Sequence, residues 1–524
     1  MTVTRAAAPE VRIENAFVAP LDNSVAAART CYSARGIITP REAGKRKGLR
    51  NRIAQSIYQA GHHTTFQHAH FQFALSGVSR HFIWSFLHSH PFYNSEQVSQ
   101  RYVTVEPENV YVPALSGPEL HVYEETVSAQ VQAYQDLSER LIPIVESEYL
   151  RLFPARADRE NRPRSKRYIG DIRKKAQEVA RYCLPVATLA YLYHTVSCLT
   201  LLRYWRLVDS SDTPTEQRNV VGKMVEALLQ HDPEFESILE GPLALEESPE
   251  AVWFEHFHHN RELSATRGFL DEFDTELKGR VSRLVSWKAR GQDLLADSVR
   301  EVLGLRRIEM ENEQAIRLVL DPEMNPLLGE SLNLSAHSKL MRALVHPAYT
   351  FKKILSHTAD SQDQRHRLTP ASRPILATHW CDQPDYVVPP LILMDSGIEA
   401  SYREIMDRSW EGMRKLQGLG VDRESCEYLL PNAVSVRFTE SSDLLALRHK
   451  LAMRLCYNAQ EEIWRASLEE ALQVSEIEPL IGRYLLPPCK LRMMSGAKPY
   501  CPEGDRYCGI PVWKLDPRQY ERIL

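Results

Sequence analysis

The chain has 524 residues, of which 43% are hydrophobic and 25% charged, and a formal net charge of −4. It is a globular protein with room for about two to four domains and without the global basicity of a nucleic-acid binder. No apolar run reaches the length of a membrane span, the first twenty residues lack the charged and apolar regions of a secretory leader, and nine scattered cysteines point to a reducing, cytoplasmic setting.

Taken in chain order, "VRIENAFVAP" and "LDNSVAAARTCYSA" (10–30) predict a strand followed by a helix. "FQHAHFQFALSGVSR" (66–80) alternates like a strand with a glycine turn after it. Val127, Val131, Tyr134, Leu137 and Leu141 recur at helical spacing, so 121–152 is a helix. The charged stretch 156–167 reads as a solvated loop, and 172–232 as a second long helical zone. Residues 236–344 are charged and helix-forming and read as a connector. A strand and loop follow around 345–370, then helices at 396–417 and 441–473. The tail from 476 is irregular and carries Cys489, Cys501 and Cys508.

The second half repeats the order of the first. "SRHFIWSFLHSH" from Ser79 corresponds to "SHTADSQDQRHR" from Ser356, and "ARYCLP" (180–185) to "CEYLLP" (426–431). The expected division is therefore an N-terminal unit (1–235), a connector (236–344), a C-terminal unit (345–475) and a tail (476–524).

"AAARTCYSA" (26–34), "GHHTTFQHAHFQFALSGVSR" (61–80), "QRHR" (364–367) and "MRLCYNAQEEI" (453–463) resemble segments of the flavin-dependent thymidylate synthases, the ThyX family. The resemblance covers most of 10–235 and 345–475. It implies an α+β fold of two ThyX-like units in tandem, forming an intramolecular pseudo-dimer. It also implies FAD as cofactor, methylenetetrahydrofolate and NADPH as co-substrates, and reductive methylation of dUMP to dTMP. A homodimer would complete a pseudo-tetramer, with no nucleic-acid or membrane partner.

Neither unit carries the whole family signature. The first has His88, Ser89 and His90 in place of the Arg-His-Arg triplet and Ser85 in place of its glutamine, but keeps Gln97, Ser99, Gln100, Arg101 and Arg181. The second keeps Gln362, Arg365, His366, Arg367 and Arg454. It has Leu376, Ala377 and Thr378 for the Ser-x-Arg segment and Glu427 for Arg181, while Val208 stands opposite Arg454. The retained sets are complementary, which implies one composite nucleotide site between the units and a decayed symmetry mate.

By the resemblance, Gln97, Ser99, Gln100, Arg101, Arg181, Gln362, Arg365 and Arg454 bind substrate. Arg454 is catalytic, set against the uracil ring. Thr64, Arg365, His366, Arg367 and His449 meet the flavin. The family's Asn-x-Arg flavin pair is replaced by Asp443 and Leu445, and by Ser197 and Leu199 in the first unit.

The chemistry of these residue types agrees. Arginine forks give bidentate, charge-assisted bonds to a phosphate dianion. Leu444, Leu447, Leu451 and Leu455 mark an apolar helix stripe with Arg454 at its margin, where the guanidinium meets either an anionic ligand or a core carboxylate.

Two alternatives stay open on the sequence: a nucleotide-binding pseudoenzyme or scaffold, and a flavin-dependent C5-methylase of another pyrimidine nucleotide. His62, His63, His68, His70, His81, His88 and His90 are dense but fit no familiar zinc spacing. Cys489, Cys501 and Cys508 are candidate ligands of a structural zinc, with buried unligated thiols as the alternative and no fourth ligand evident. "AQEVAR" and "AQEEIW" read as ordinary helix surface with some interface.

Overall fold

The computed structural model describes residues 8–88, 90–100, 105–106, 109–152, 166–210, 212–253, 263–379 and 381–524. In the first repeat, alternating side chains form β1 (Glu10–Ala16), and Pro20 at the first helical position opens α1 (Pro20–Thr30). There follow β2 (His70–Ser79), α2 (Arg80–His88), β3 (Tyr93–Gln97), α3 (Gly117–Leu152), α4 (Lys166–Ala180), β4 (Leu189–Ser197), α5 (Cys198–Arg206) and α6 (Pro214–His231). The second repeat contains β5 (Ser282–Trp287), β6 (Ala348–Ser356), α7 (His357–Asp363), β7 (Ala371–Ser372), α8 (Ser396–Gly418), β8 (Ser435–Asp443), α9 (Leu444–Arg454) and α10 (Glu461–Ile477). In the tail lies α11 (Pro488–Met494).

Each repeat builds a four-stranded antiparallel sheet of the same order, β1-β2-β4-β3 and β5-β6-β8-β7. The internal repeat is thus a repeat of topology. It starts at β5, inside the segment expected to be a connector; that segment supplies the edge strand paired with β6. Its high charge had masked a six-residue strand, because an edge strand buries little of its surface.

Three further expectations are corrected. Gly77 does not make a turn after β2. It lies inside the strand at φ +68°, where the register with β4 shifts between Ser76 and Val78. A left-handed bulge residue is cheap only for glycine. The helical zone at 172–232 is broken by β4, and the one at 441–473 is a strand followed by two helices. In both cases the strand runs directly into a helix whose N-cap is its own last residue, Ser197 or Asp443, so no loop marks the change. The loop expected after β6 is the short helix α7. The charged stretch at 156–167 lies outside the described residues except for its last two.

The compact units of the fold are not the two halves of the sequence. One unit comprises residues 1–132, 183–263 and 407–431, and the other 133–182, 264–406 and 432–524. Each unit thereby takes up a segment from the other repeat: 407–431 joins the first unit and 133–182 the second.

The first unit packs Leu21, Phe71, Phe73, Phe82, Leu201, Met224 and their neighbours into one core. The second packs Leu295, Ile316, Phe351, Leu444, Leu447, Leu451 and Leu455 into another. The exchanged segments are anchored identically. In the first unit, Ser79 N and Oγ donate to Glu216, and Tyr428 Oη donates to Glu216 Oε2 at 2.7 Å. In the second, Ser356 N and Oγ donate to Glu462, and so does Tyr182 Oη at 2.5 Å. Burial pushes both carboxyls above the usual range, and their three donors oppose the rise.

Candidate active site

The second unit gathers residues that lie far apart in sequence. Ser356 caps α7 by accepting from Ala359 N at 3.1 Å, and the helix ends at Gln362 and Asp363. Asp443 caps α9 by accepting from Ala446 N at 2.8 Å. One turn apart on α9 stand Lys450 and Arg454, on the same face. Arg181 follows α4 directly, in a short 3-10 turn (Arg181–Cys183), and is buried.

Gln460, just ahead of α10, joins these elements. Its Oε1 accepts from Arg181 Nη2 at 2.7 Å and from Gln362 Nε2, and its Nε2 donates to Tyr182 Oη at 2.5 Å. Arg454 Nη2 donates to the Gln362 carbonyl at 2.6 Å, and its Nε stands 4.0 Å from Asp363 Oδ1. Arg181, Gln362 and Arg454 therefore share one polar cluster. Gln460 was not singled out in the sequence. "AQEEIW" is not helix surface: Gln460 and Glu462 are buried, because Gln460 bonds Arg181, Gln362 and Tyr182 and Glu462 anchors the exchanged segment. Glu178 in "AQEVAR" is likewise buried and accepts from Lys175 at 2.7 Å.

Beneath Arg454 lies an ion network. Lys450 Nζ donates to Asp363 Oδ2 at 2.7 Å and to Glu440 Oε1 at 2.6 Å. Lys353 Nζ lies 2.7 Å from Glu440 Oε1 and 2.6 Å from Glu470 Oε1. These five side chains are at most 1% exposed, and Arg454 is 16% exposed. Three carboxylates are balanced by three cations only when Arg454 is counted. Burial opposes ionisation of Asp363, but Lys450, Lys353 and Arg454 hold its carboxyl well below the usual range. Burial likewise pulls the Lys353 ammonium down, and Glu440, Glu470 and Asp363 overcome it. The core-carboxylate and ligand-facing readings of Arg454 thus combine: a carboxylate lies below it while part of the side chain remains open.

The Arg365–His366–Arg367 triplet follows α7, with both arginines exposed. Burial, then Arg454, drives the His366 imidazole well below its ordinary pKa, so the ring is neutral. Its Nε2 is buried and has no hydrogen-bond partner among the described residues. His449, 6.1 Å from the His366 ring, accepts from Asn333 Nδ2 at 3.0 Å on Nδ1. Two exposed cations flanking a neutral, unsatisfied imidazole suit an anionic diphosphate-bearing cofactor. Asp443, the residue at the expected flavin-pair position, has its carboxylate committed to the cap of α9. Arg373, beyond the triplet, anchors this segment by a two-point bond to Asp360 at 2.7 and 2.8 Å.

The remaining assigned residues belong to the first unit. Gln97 ends β3 and accepts from Arg80 Nη1 at 2.8 Å. Gln100 is buried, Ser99 is partly exposed, and Thr64 is exposed within a 3-10 segment (His63–His68). Arg101 lies outside the described residues.

The first unit keeps the frame without the charges. The strand register places Leu75 at the position of Lys353, and the constant spacing of the repeats places Phe86 at Asp363, His194 at Glu440, Tyr204 at Lys450, Val208 at Arg454 and Met224 at Glu470. Phe86, His194 and Tyr204 pack with ring centroids 4.4 to 5.8 Å apart. Glu427, at the position of Arg181, faces His81 Nε2 at 3.3 Å with both side chains buried. An apolar and aromatic core fills the place that the second unit keeps ionic.

Among the described residues, no group of three or more His, Cys, Asp or Glu side chains is placed so that it could hold a metal ion, the dense histidines of the first unit and Cys489, Cys501 and Cys508 of the tail included. No helix among those described is long and apolar enough to cross a membrane.

The family model described as thymidylate synthase complementing protein matches residues 15–234 and 300–480. The flavin-dependent thymidylate synthase of Thermococcus kodakarensis is 30% identical over 171 residues, which cover 31% of this chain and 67% of the relative. Those of Pyrococcus furiosus (28% identical; 31% and 68% covered) and Clostridium tetani (26% identical; 31% and 70% covered) are similar to a comparable extent.

Proposed function

The chain belongs to the thymidylate synthase complementing protein family, and on that footing we propose that it is a flavin-dependent thymidylate synthase converting dUMP to dTMP at one site per chain. The observation that carries the single site is the linkage of Arg181 to Gln362 through Gln460 and of Arg454 to the Gln362 carbonyl, against Glu427, Ser85 and Val208 in the first unit. The cluster is composite in sequence, since Arg181 comes from the first repeat and Gln362, Arg454 and Gln460 from the second. The two units act as an intramolecular pseudo-dimer, and two chains associate into a pseudo-tetramer.

Arg181 is preset by Gln460 to meet the nucleotide phosphate with a planar fork. Ser99, Gln100, Arg101 and Gln97 are assigned to the nucleotide on the resemblance alone. Arg454 has its orientation fixed by the Gln362 carbonyl and the Asp363 carboxylate, and its role is to stabilise negative charge developing on the uracil ring oxygens during C5 alkylation. Asp363, held anionic by its cations, is a positioning residue and carries no proton. Arg365, His366 and Arg367 hold the diphosphate of FAD, with Thr64 and His449 as further contacts. FAD supplies hydride-carrying chemistry, NADPH the reducing equivalents and methylenetetrahydrofolate the carbon. No cysteine nucleophile is assigned to this site.

Calorimetric titration with dUMP should find one site per chain, and two equal sites would overturn the composite assignment. Asp443 and Leu445 favour a second reading, a nucleotide-binding protein without flavin. A colourless purified protein that binds dUMP but forms no dTMP from the full substrate set would establish that reading instead.

A further inference from the structure

Four of the nine cysteines converge in the second unit, away from the site above. Cys456 follows the end of α9, Cys489 lies on α11, and Cys501 and Cys508 belong to the irregular tail. They are separated in sequence by 32, 11 and 6 residues, a spacing that matches no familiar motif. All four are reduced and partly buried, and all four line the same cavity of about 10 Å³.

The surroundings ask for a staple. Beyond α11 the chain has only short turns, packed on a small cluster of Tyr457, Trp464, Val512 and Tyr520. So small a core gives little stability by itself. A cation stands near the cavity: Arg522 lies 5.9 Å from the Tyr457 ring and 5.8 Å from that of Trp464.

We propose that Cys456, Cys489, Cys501 and Cys508 bind one zinc-class divalent ion as four thiolates, tying the tail to the end of the helix that carries Arg454. Four sulfur ligands select a soft tetrahedral ion. The cavity has space for about one small species, which suits a single ion. As they stand, the four side chains line the cavity too loosely to hold a metal ion, so their closure onto the ion is a required part of the proposal. Each ligand gives up its thiol proton to solvent as its sulfur bonds the metal, with no change in oxidation state.

The test uses the full chain purified without chelator. Elemental analysis should give about one zinc per chain, and cobalt exchanged into the protein should show thiolate-to-metal charge transfer. Cys489→Ser and Cys508→Ser should each reduce the bound metal severalfold or more. Metal-free wild-type protein with the four thiols open to alkylation would overturn the proposal. So would a mass deficit showing disulfides among these cysteines, or full zinc retention in both variants. If the variants fail to fold, the metal content and cobalt spectrum of the wild-type chain decide the matter alone.

Discussion

Arg181 donates to Gln460 Oε1 at 2.7 Å across 279 residues of sequence. The bond joins the end of a helix from the first repeat to the start of a helix from the second, within one compact unit. Gln460 also receives Gln362, so one amide sets the position of two substrate-binding candidates. Gln460→Ala should raise the apparent KM for dUMP with a smaller change in kcat. Equal loss in kcat and kcat/KM would instead place Gln460 in the transition state.

Arg181 and Arg454 are assigned to opposite ends of one nucleotide. Arg181→Ala should mainly raise KM or Kd, because a phosphate is bound equally in the ground and transition states. Arg454→Ala should mainly lower kcat, on the order of a hundredfold or more, like the loss of one oxyanion donor. Arg454→Lys should restore part of it, keeping charge but not the planar fork. Steady-state kinetics on the three variants checks the split.

The corresponding residues of the first unit should behave as core. Val208 is fully buried, so Val208→Ala should lower stability by about 1–3 kcal/mol in denaturant titrations and leave kcat unchanged. Glu427→Gln should likewise leave turnover intact. A dead Val208 variant beside a normal Arg454→Ala enzyme would reverse the assignment of the live site.

The buried ions offer a contrast between breaking and replacing. Lys450→Met leaves Asp363 and Glu440 short of a cation and should cost about 3–5 kcal/mol. Replacing the whole set by its first-unit counterparts (Lys353→Leu, Asp363→Phe, Glu440→His, Lys450→Tyr, Arg454→Val and Glu470→Met together) should cost less than that single change while abolishing dUMP binding. Parallel unfolding and calorimetry on both proteins test it.

Burial pushes the His90 imidazole down to about 4 and that of His194 to about 3, from an ordinary 6.5. The unfolded chain therefore binds more protons below pH 6.5. The stabilisation from these neutral rings is present above that pH and is lost as pH falls through about 4 and then about 3. His194→Phe should flatten this acid limb of the stability profile, measured as denaturation midpoint against pH.

The sequence alone determined what depends on local order and residue type: the strand–helix opening, the long helix ending at Leu152, the tandem repeat, the family, and the complementary retention of Arg181 with Gln362 and Arg454. Those signals survive because alternation, helical spacing and short motifs are properties of neighbouring residues. Tertiary structure decided the rest. β4 and β8 were hidden because each runs without a loop into the helix it caps, and β5 because a six-residue edge strand set in a charged segment carries little apolar pattern. Gln460, the ion network and the fourth cysteine, Cys456, were invisible because each takes its role from partners brought together only by long-range packing. Which segments share a unit is likewise a matter of long-range packing: Tyr182 on Glu462 and Tyr428 on Glu216 are buried bonds that hold each exchanged segment, and an unpaired carboxylate or hydroxyl in a core is costly.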